Sequence, residues 1–246
     1  MIAHLRMYHR RETAQAHDRF WALIREALGD GPHTLSKDSD FWRVWRKPAL
    51  MLAQTCGMPY RTRLHGEVAL VGTPDYGLDG CPPGYYRSVF ITRKGASDQL
   101  SDYAGQRFAY NEALSQSGWA APITHAGAEG IRFGVVVKSG AHLESARAVA
   151  EGRAEIASLD AVTWELIQRY EPMADLLHPI EWTTPTPGLP YITSKARDPR
   201  PIFDAVSTAI TQLSPEDRDT LMLKGLIPIP AQDYLAIPTP TGPGDY

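Results

Sequence analysis

Apolar residues recur at four-residue steps between Thr13 and Leu28, with Phe20, Ile24 and Leu28 in register and Trp21 widening the same face. That period predicts an amphipathic helix, closed by Gly29 as C-cap and stopped by Pro32. Residues 2–8 predict a strand before it, and a second strand is predicted over residues 33–36. A helix over residues 40–46, ended by Pro48, and strands over 49–55 and 67–72 follow. The run Val68-Ala69-Leu70-Val71 has the unbroken apolar character of a strand buried on both faces of a parallel sheet.

After a Pro/Gly-rich loop over residues 73–84, residues 85–91 alternate into a long strand. The rhythm then restarts, with strands over 108–111, 131–137, 154–159 and 179–183, and helices from Gly118, over 142–151 and over 161–170. A Pro-rich link spans 184–190, and Ser214-Pro215-Glu216-Asp217 announces a last helix by its N-cap, its early proline and its first-turn acids. The tail from Ile237, rich in Pro and Gly, is expected to be loosely held. Strands alternating with helices predict an α/β fold with ligands at the strand carboxyl ends. One crossing near residue 90 and a return near 185 predict two lobes, residues 1–90 with 186–246 and residues 91–185. Two hinge crossings of this kind suit a binding protein that closes on a ligand held between its lobes.

Composition narrows the function. The chain of 246 residues is 43% hydrophobic and 22% charged, with a net charge of -3. A nucleic-acid binder would carry a basic face, and no apolar run reaches the roughly 20 residues of a membrane span. No nucleic-acid partner and no direct membrane insertion are expected. The N-terminus shows no basic-then-apolar leader, so a cytoplasmic location is the plain expectation, and a periplasmic one holds if a signal peptide was lost or omitted. The two cysteines, Cys56 and Cys81, give no disulfide framework and are expected to be reduced. His4 and His9, an odd number of residues apart on one strand, cannot share a face, so no metal site is expected there, and no cofactor is called for.

The candidate chemistry centres on Ser115-Gln116-Ser117-Gly118, a turn between a strand and a helix. Free N–H groups at a helix start, together with two hydroxyls, can seat an oxyanion. Ser115 is equally suited to capping the helix, Tyr86 to sheet packing, His142 to a local carbonyl, and Asp160 to capping the helix that begins at Ala161. Tyr8, at the end of the first strand, and Cys56, at the end of the 49–55 strand, are placed to face a ligand from the first lobe.

Several segments together resemble the phosphate/phosphonate/phosphite substrate-binding proteins of ABC importers, a branch of the type II periplasmic-binding-protein fold. Gly84-Tyr85-Tyr86-Arg87-Ser88-Val89 is similar to the family's crossing segment, with Tyr86 in place of its ligand-reaching tyrosine. Ser115-Gln116-Ser117-Gly118 resembles its phosphonate cradle. Residues 139–142 and 148–157 resemble its Gly-His helix and the strand after it, and Thr186-Pro187-Gly188-Leu189-Pro190 its return link. The resemblance implies a clamp that is not an enzyme and takes a small oxyanion. Its expected ligand-binding residues are Tyr8, Cys56, Tyr86, Ser115, Gln116, Ser117, Gly118, His142 and Asp160, and an ABC permease is its possible partner. Members that hold an aminoalkyl phosphonate place acids around the ammonium. Here those positions are Leu189 and Val162, and Gln116 replaces a small hydroxyl residue, which disfavours an amine. Two other classes stay open: a cytoplasmic enzyme on the same bilobal fold acting on a small carboxylate or phosphorylated metabolite, and a ligand-sensing module.

Overall fold

The computed structural model describes residues 1–246. In chain order the elements are β1 Ile2–His4, α1 Ala14–Leu28, α2 Phe41–Trp45, β2 Leu50–Gln54, α3 Gly57–Pro59, β3 Val68–Asp75, β4 Tyr85–Tyr86, β5 Ser88–Arg93 and β6 Arg107–Tyr110. They continue with α4 Ala121–Ala128, β7 Val135–Lys138, α5 His142–Ala150, β8 Ile156–Asp160, α6 Ala161–Tyr170, β9 Leu177–Trp182 and β10 Thr186–Pro187. The last five are β11 Tyr191–Ser194, α7 Arg200–Gln212, α8 Pro215–Leu221, β12 Gly225–Ile227 and α9 Ala231–Leu235. The chain divides into two compact units, residues 1–85 with 187–235, and residues 86–186 with 236–246.

In the first unit a five-stranded sheet runs in the order β1-β2-β11-β3-β12. β1 and β2 are parallel, while β11 lies antiparallel between β2 and β3. α1 packs on α7, which rests on β3 and β12. The inner face of α1 is Ala16, His17, Phe20, Trp21 and Ile24, the stripe its period predicts. Arg19 donates two bonds to Asp217, at 2.8 and 2.6 Å, tying α1 to α8, while Ser214 caps α8 through the Asp217 N–H. The strand expected over residues 33–36 does not form. Ser36 gives one backbone bond to Ala3, and the Pro32 carbonyl is taken by the Trp21 indole, so the segment is an extended connection without a ladder. The first strand stops at His4, because the chain turns back between Arg6 and His9. α7 and β11 lie where no element was expected.

The second unit holds a five-stranded sheet in the order β7-β6-β8-β5-β9. β6 is parallel to β7 and β8, whereas β5 runs antiparallel to β8 and β9. Side chains alternate between two cores as a strand's period of two requires. Val89, Ile91, Ala109, Ala157 and Leu159 pack under α5 and α6, and Phe90, Phe108, Tyr110 and Ile156 pack with Trp119, Ile123 and Phe133. The strand expected from residue 131 begins four residues later, at Val135. Before it, Gly134 lies against Gly105, where an added Cβ would approach the Gly105 carbonyl to 2.2 Å. The C-terminal residues are not loose and do not join the first unit. Thr241 accepts from the Trp119 indole at 2.9 Å, Tyr246 stacks edge-on against Trp119 at 5.3 Å, and its hydroxyl accepts from the Phe133 N–H.

Candidate functional site: a serine turn on the second unit

β6 delivers the chain to Asn111, and Ser115 opens a wide π-type turn over Gln116–Ala120 that runs into α4. The Ser115 carbonyl accepts from both Trp119 and Ala120, at 3.2 and 3.0 Å, which gives the turn its extra residue. Ser115 Oγ accepts the Gly118 N–H at 2.9 Å, so this serine caps the turn. The first N–H groups of such a turn lie outside the helix's own ladder of bonds. Ser115, Gln116 and Ser117 are all buried.

Ser117 is the centre of a network. Its Oγ lies 2.9 Å from His142 Nε2, and its carbonyl accepts from Ser158 Oγ at 2.8 Å. His142 is the first residue of α5, placed there by the turn at Gly140 (φ 91°). Burial pushes the imidazole from 6.5 down to about 4, with only the Ser158 backbone acting the other way. The ring is therefore neutral at pH 7, with Nε2 turned to Ser117 and Nδ1 enclosed. With the proton on Nε2 the ring donates to Ser117 Oγ and leaves the serine O–H for another acceptor; with it on Nδ1 the ring accepts from the serine. His142 was expected to offer its N–H to the ligand itself. Its Nε2 lies within hydrogen-bond distance of Ser117 Oγ.

Asp160 ends β8 and caps α6, its Oδ1 accepting the Thr163 N–H at 3.0 Å, so the capping role weighed from the sequence is the one observed. Tyr86, 2% exposed, lies at the chain's first crossing into this unit. Two residues not anticipated from the sequence pack against the same turn. Ser158 anchors the Ser117 carbonyl, and Asn111 stands against Gly118, whose Cβ, if present, would lie 1.9 Å from Asn111 Oδ1. Asn111 heads the Ser-x-Ser-Gly stretch, so its position was visible; the pairing across the turn was not.

In the first unit, Tyr8 packs edge-on against Tyr76 at 5.3 Å, and Gln54 Nε2 donates to the Tyr76 hydroxyl and the Leu189 carbonyl, each at 3.1 Å. Tyr76 was not anticipated. Cys56 is buried at the N-cap position of α3, outside any disulfide and without a side-chain capping bond, and its carbonyl accepts from the Tyr60 N–H. These residues gather at the carboxyl end of β2, where an α/β sheet presents its ligand-facing loops.

The chain resembles solved proteins in fold. PhnD1 from Prochlorococcus marinus (MIT 9301), in complex with methylphosphonate, superposes with a TM-score of 0.73 at 16% identity, covering 95% of this chain and 93% of that one. XAC2383 from Xanthomonas citri, bound to chloride ion, gives a TM-score of 0.66 at 14% identity, covering 96% and 94%. A binding protein component of an ABC phosphonate transporter, PA3383 from Pseudomonas aeruginosa, gives 0.64 at 16% identity over 90% and 79%. No curated protein matches the chain by sequence. The sequence profile of the periplasmic substrate-binding proteins of phosphonate ABC transporters matches residues 52–234. With that match spanning most of its length, this chain belongs to the periplasmic substrate-binding proteins of phosphonate ABC transporters.

Proposed function

We propose that this solute-binding protein holds a small, non-amino phosphorus oxyanion at the Ser115–Gly118 turn and delivers it to an ABC importer from the outer side of the membrane. The observation that carries the reading is the Ser117–His142 pair, a hydroxyl held 2.9 Å from a neutral imidazole beside the N–H groups of a helix start. Ser117, His142 and the turn N–H groups would bind, with Gln116, Gly118 and Tyr86 shaping the same seat; Tyr8 and Cys56 are first-unit candidates. Every donor in this set is neutral, and hydrogen bonds to a charged acceptor are the stronger kind. Ser117 and His142 do not form a hydrolytic relay, since Nδ1 has no carboxylate partner to orient and charge the ring. Leu189 and Val162, which stand where an ammonium's acidic partners are expected, are buried and apolar, so neither place offers a counter-charge.

Calorimetry with phosphate, phosphite, methylphosphonate and 2-aminoethylphosphonate tests the reading. The simple oxyanions are expected to bind at least about tenfold more tightly than the amino compound, a gap of about 1.4 kcal/mol. Tighter binding of the aminoethyl analogue would overturn the exclusion of an amine, and no binding across the series would overturn the oxyanion. Ser117→Ala removes one hydrogen bond to a charged group and is expected to cost about 1.5–3 kcal/mol of affinity. The fold should survive, because Ser115 still caps the turn.

A further inference from the structure

We propose that His125, Glu129 and Glu181 form a divalent transition-metal site that takes Zn2+. His125 lies in the last turn of α4, Glu129 is the capping residue after it, and Glu181 comes from β9, so the donors belong to one unit but two elements. His125 Nε2 is 2.5 Å from Glu181 Oε1 and 3.6 Å from Glu129 Oε1, and one donor atom from each residue lies within 4.8 Å of the others.

Zinc-to-ligand distances of about 2.0–2.1 Å around a tetrahedral centre set neighbouring donors about 3.3 Å apart. The His125–Glu129 separation already has nearly that value. Glu181 needs to withdraw by less than about 1 Å, a small torsional change for a carboxylate at 31% exposure. The imidazole is better fixed, at 19% exposure with its ring 5.8 Å from that of Phe90. One imidazole nitrogen with two carboxylates suits zinc. Calcium and magnesium demand oxygen-only shells of six or more donors, and copper(I) prefers thiolates. The fourth position stays open to water, and a bound ion would staple the end of α4 to β9.

The competing explanation is a plain ion pair between His125 and Glu181, which needs no metal. Metal-free full-length protein titrated calorimetrically with ZnCl2 in a non-coordinating buffer separates the two. One Zn2+ per chain is expected, with a melting temperature that rises with zinc concentration and does not respond to Mg2+ or Ca2+. Glu181→Gln and His125→Asn are each expected to weaken zinc binding at least about tenfold. Glu129→Gln, the most exposed of the three at 49%, serves where either of those variants loses its circular-dichroism signature. Less than half an equivalent of zinc, or unchanged affinity in the folded variants, would overturn the site.

Discussion

Replacing Gly118 by alanine sets two effects of opposite sign against each other. In a helical backbone alanine is favoured over glycine by about 0.5–1 kcal/mol, so on propensity alone the variant gains stability. Its methyl group, however, would lie 1.9 Å from Asn111 Oδ1, 2.9 Å from Asn111 Cγ and 3.2 Å from His142 Cε1. Carbon and oxygen pack at about 3.3 Å or more, so Asn111 must retreat by more than about 1 Å. Its main chain has little room to follow, because its carbonyl accepts the Gly140 N–H at 3.0 Å and the Tyr110 carbonyl before it accepts the Ser139 N–H at 2.8 Å. Both acceptors hold the loop that leads into His142. Overpacking of this kind costs about 1–3 kcal/mol, which exceeds the propensity gain. The expected outcome is a net loss of about 1–2 kcal/mol, read as a lower urea midpoint with an unchanged slope. Adding Asn111→Ala to Gly118→Ala removes the obstacle, so the double variant should be more stable than Gly118→Ala alone, a coupling that a double-mutant cycle isolates. A Gly118→Ala protein as stable as the parent would show that Asn111 yields freely, and the reasoning about the seat's close packing would fail.

Two other outcomes concern stability. Tyr246→Ala removes a ring packed on Trp119 and the acceptor of the Phe133 N–H, and is expected to destabilise the second unit by about 1–3 kcal/mol, measured by thermal unfolding; no change would mean that the tail only rests on the surface. Acid is expected to destabilise the protein through His142 and, in the first unit, His17, both held at about 4 by burial. The unfolded rings take up protons near 6.5 while the folded ones resist, so this contribution is complete above pH 6.5 and is lost as pH falls toward 4. The difference corresponds to roughly 3 kcal/mol per ring, and His142→Gln should flatten its part of the pH dependence in a series of urea midpoints.

What the sequence made legible follows from how local each signal is. α1, α5, α6 and the start of α8 carry their own periods and caps, so they lie where expected within a residue or two. The Ser115 cap and the Asp160 cap are likewise contacts within three residues, and both chemistries were weighed from the chain alone. α7 was missed for a local reason. Pro199 and Pro201 flank its start, where proline is tolerated, and Val206, Thr208, Ile210 and Thr211 are β-branched residues with weak helix preference, overridden by packing on α1. The Ser117–His142 and Ser117–Ser158 bonds join residues 25 and 41 apart, and no spacing rule reaches that far. His125 and Glu181, 56 apart, meet for the same tertiary reason.

The neutral character of the seat has a consequence for selectivity. An arginine or lysine would attract any anion, because a point charge discriminates poorly between a carboxylate, a sulfate and a phosphonate. Hydroxyl, amide and uncharged imidazole donors contribute only when an oxygen sits on the line of each N–H or O–H, so affinity depends on the shape of the anion. That dependence demands a rigid frame. Ser115 closes the turn on Gly118, Ser158 fixes the Ser117 carbonyl, His142 restrains the Ser117 hydroxyl, and Trp119 is packed from behind by Tyr110 and Tyr246. At the proposed seat each bond would remove a torsion that ligand binding otherwise has to freeze, and preorganisation of this kind raises affinity by lowering the entropy lost. Keeping His142 neutral belongs to the same logic. A protonated ring would carry a desolvated charge beside Ser117, so the burial that depresses its titration also keeps this group of donors uncharged at neutral pH.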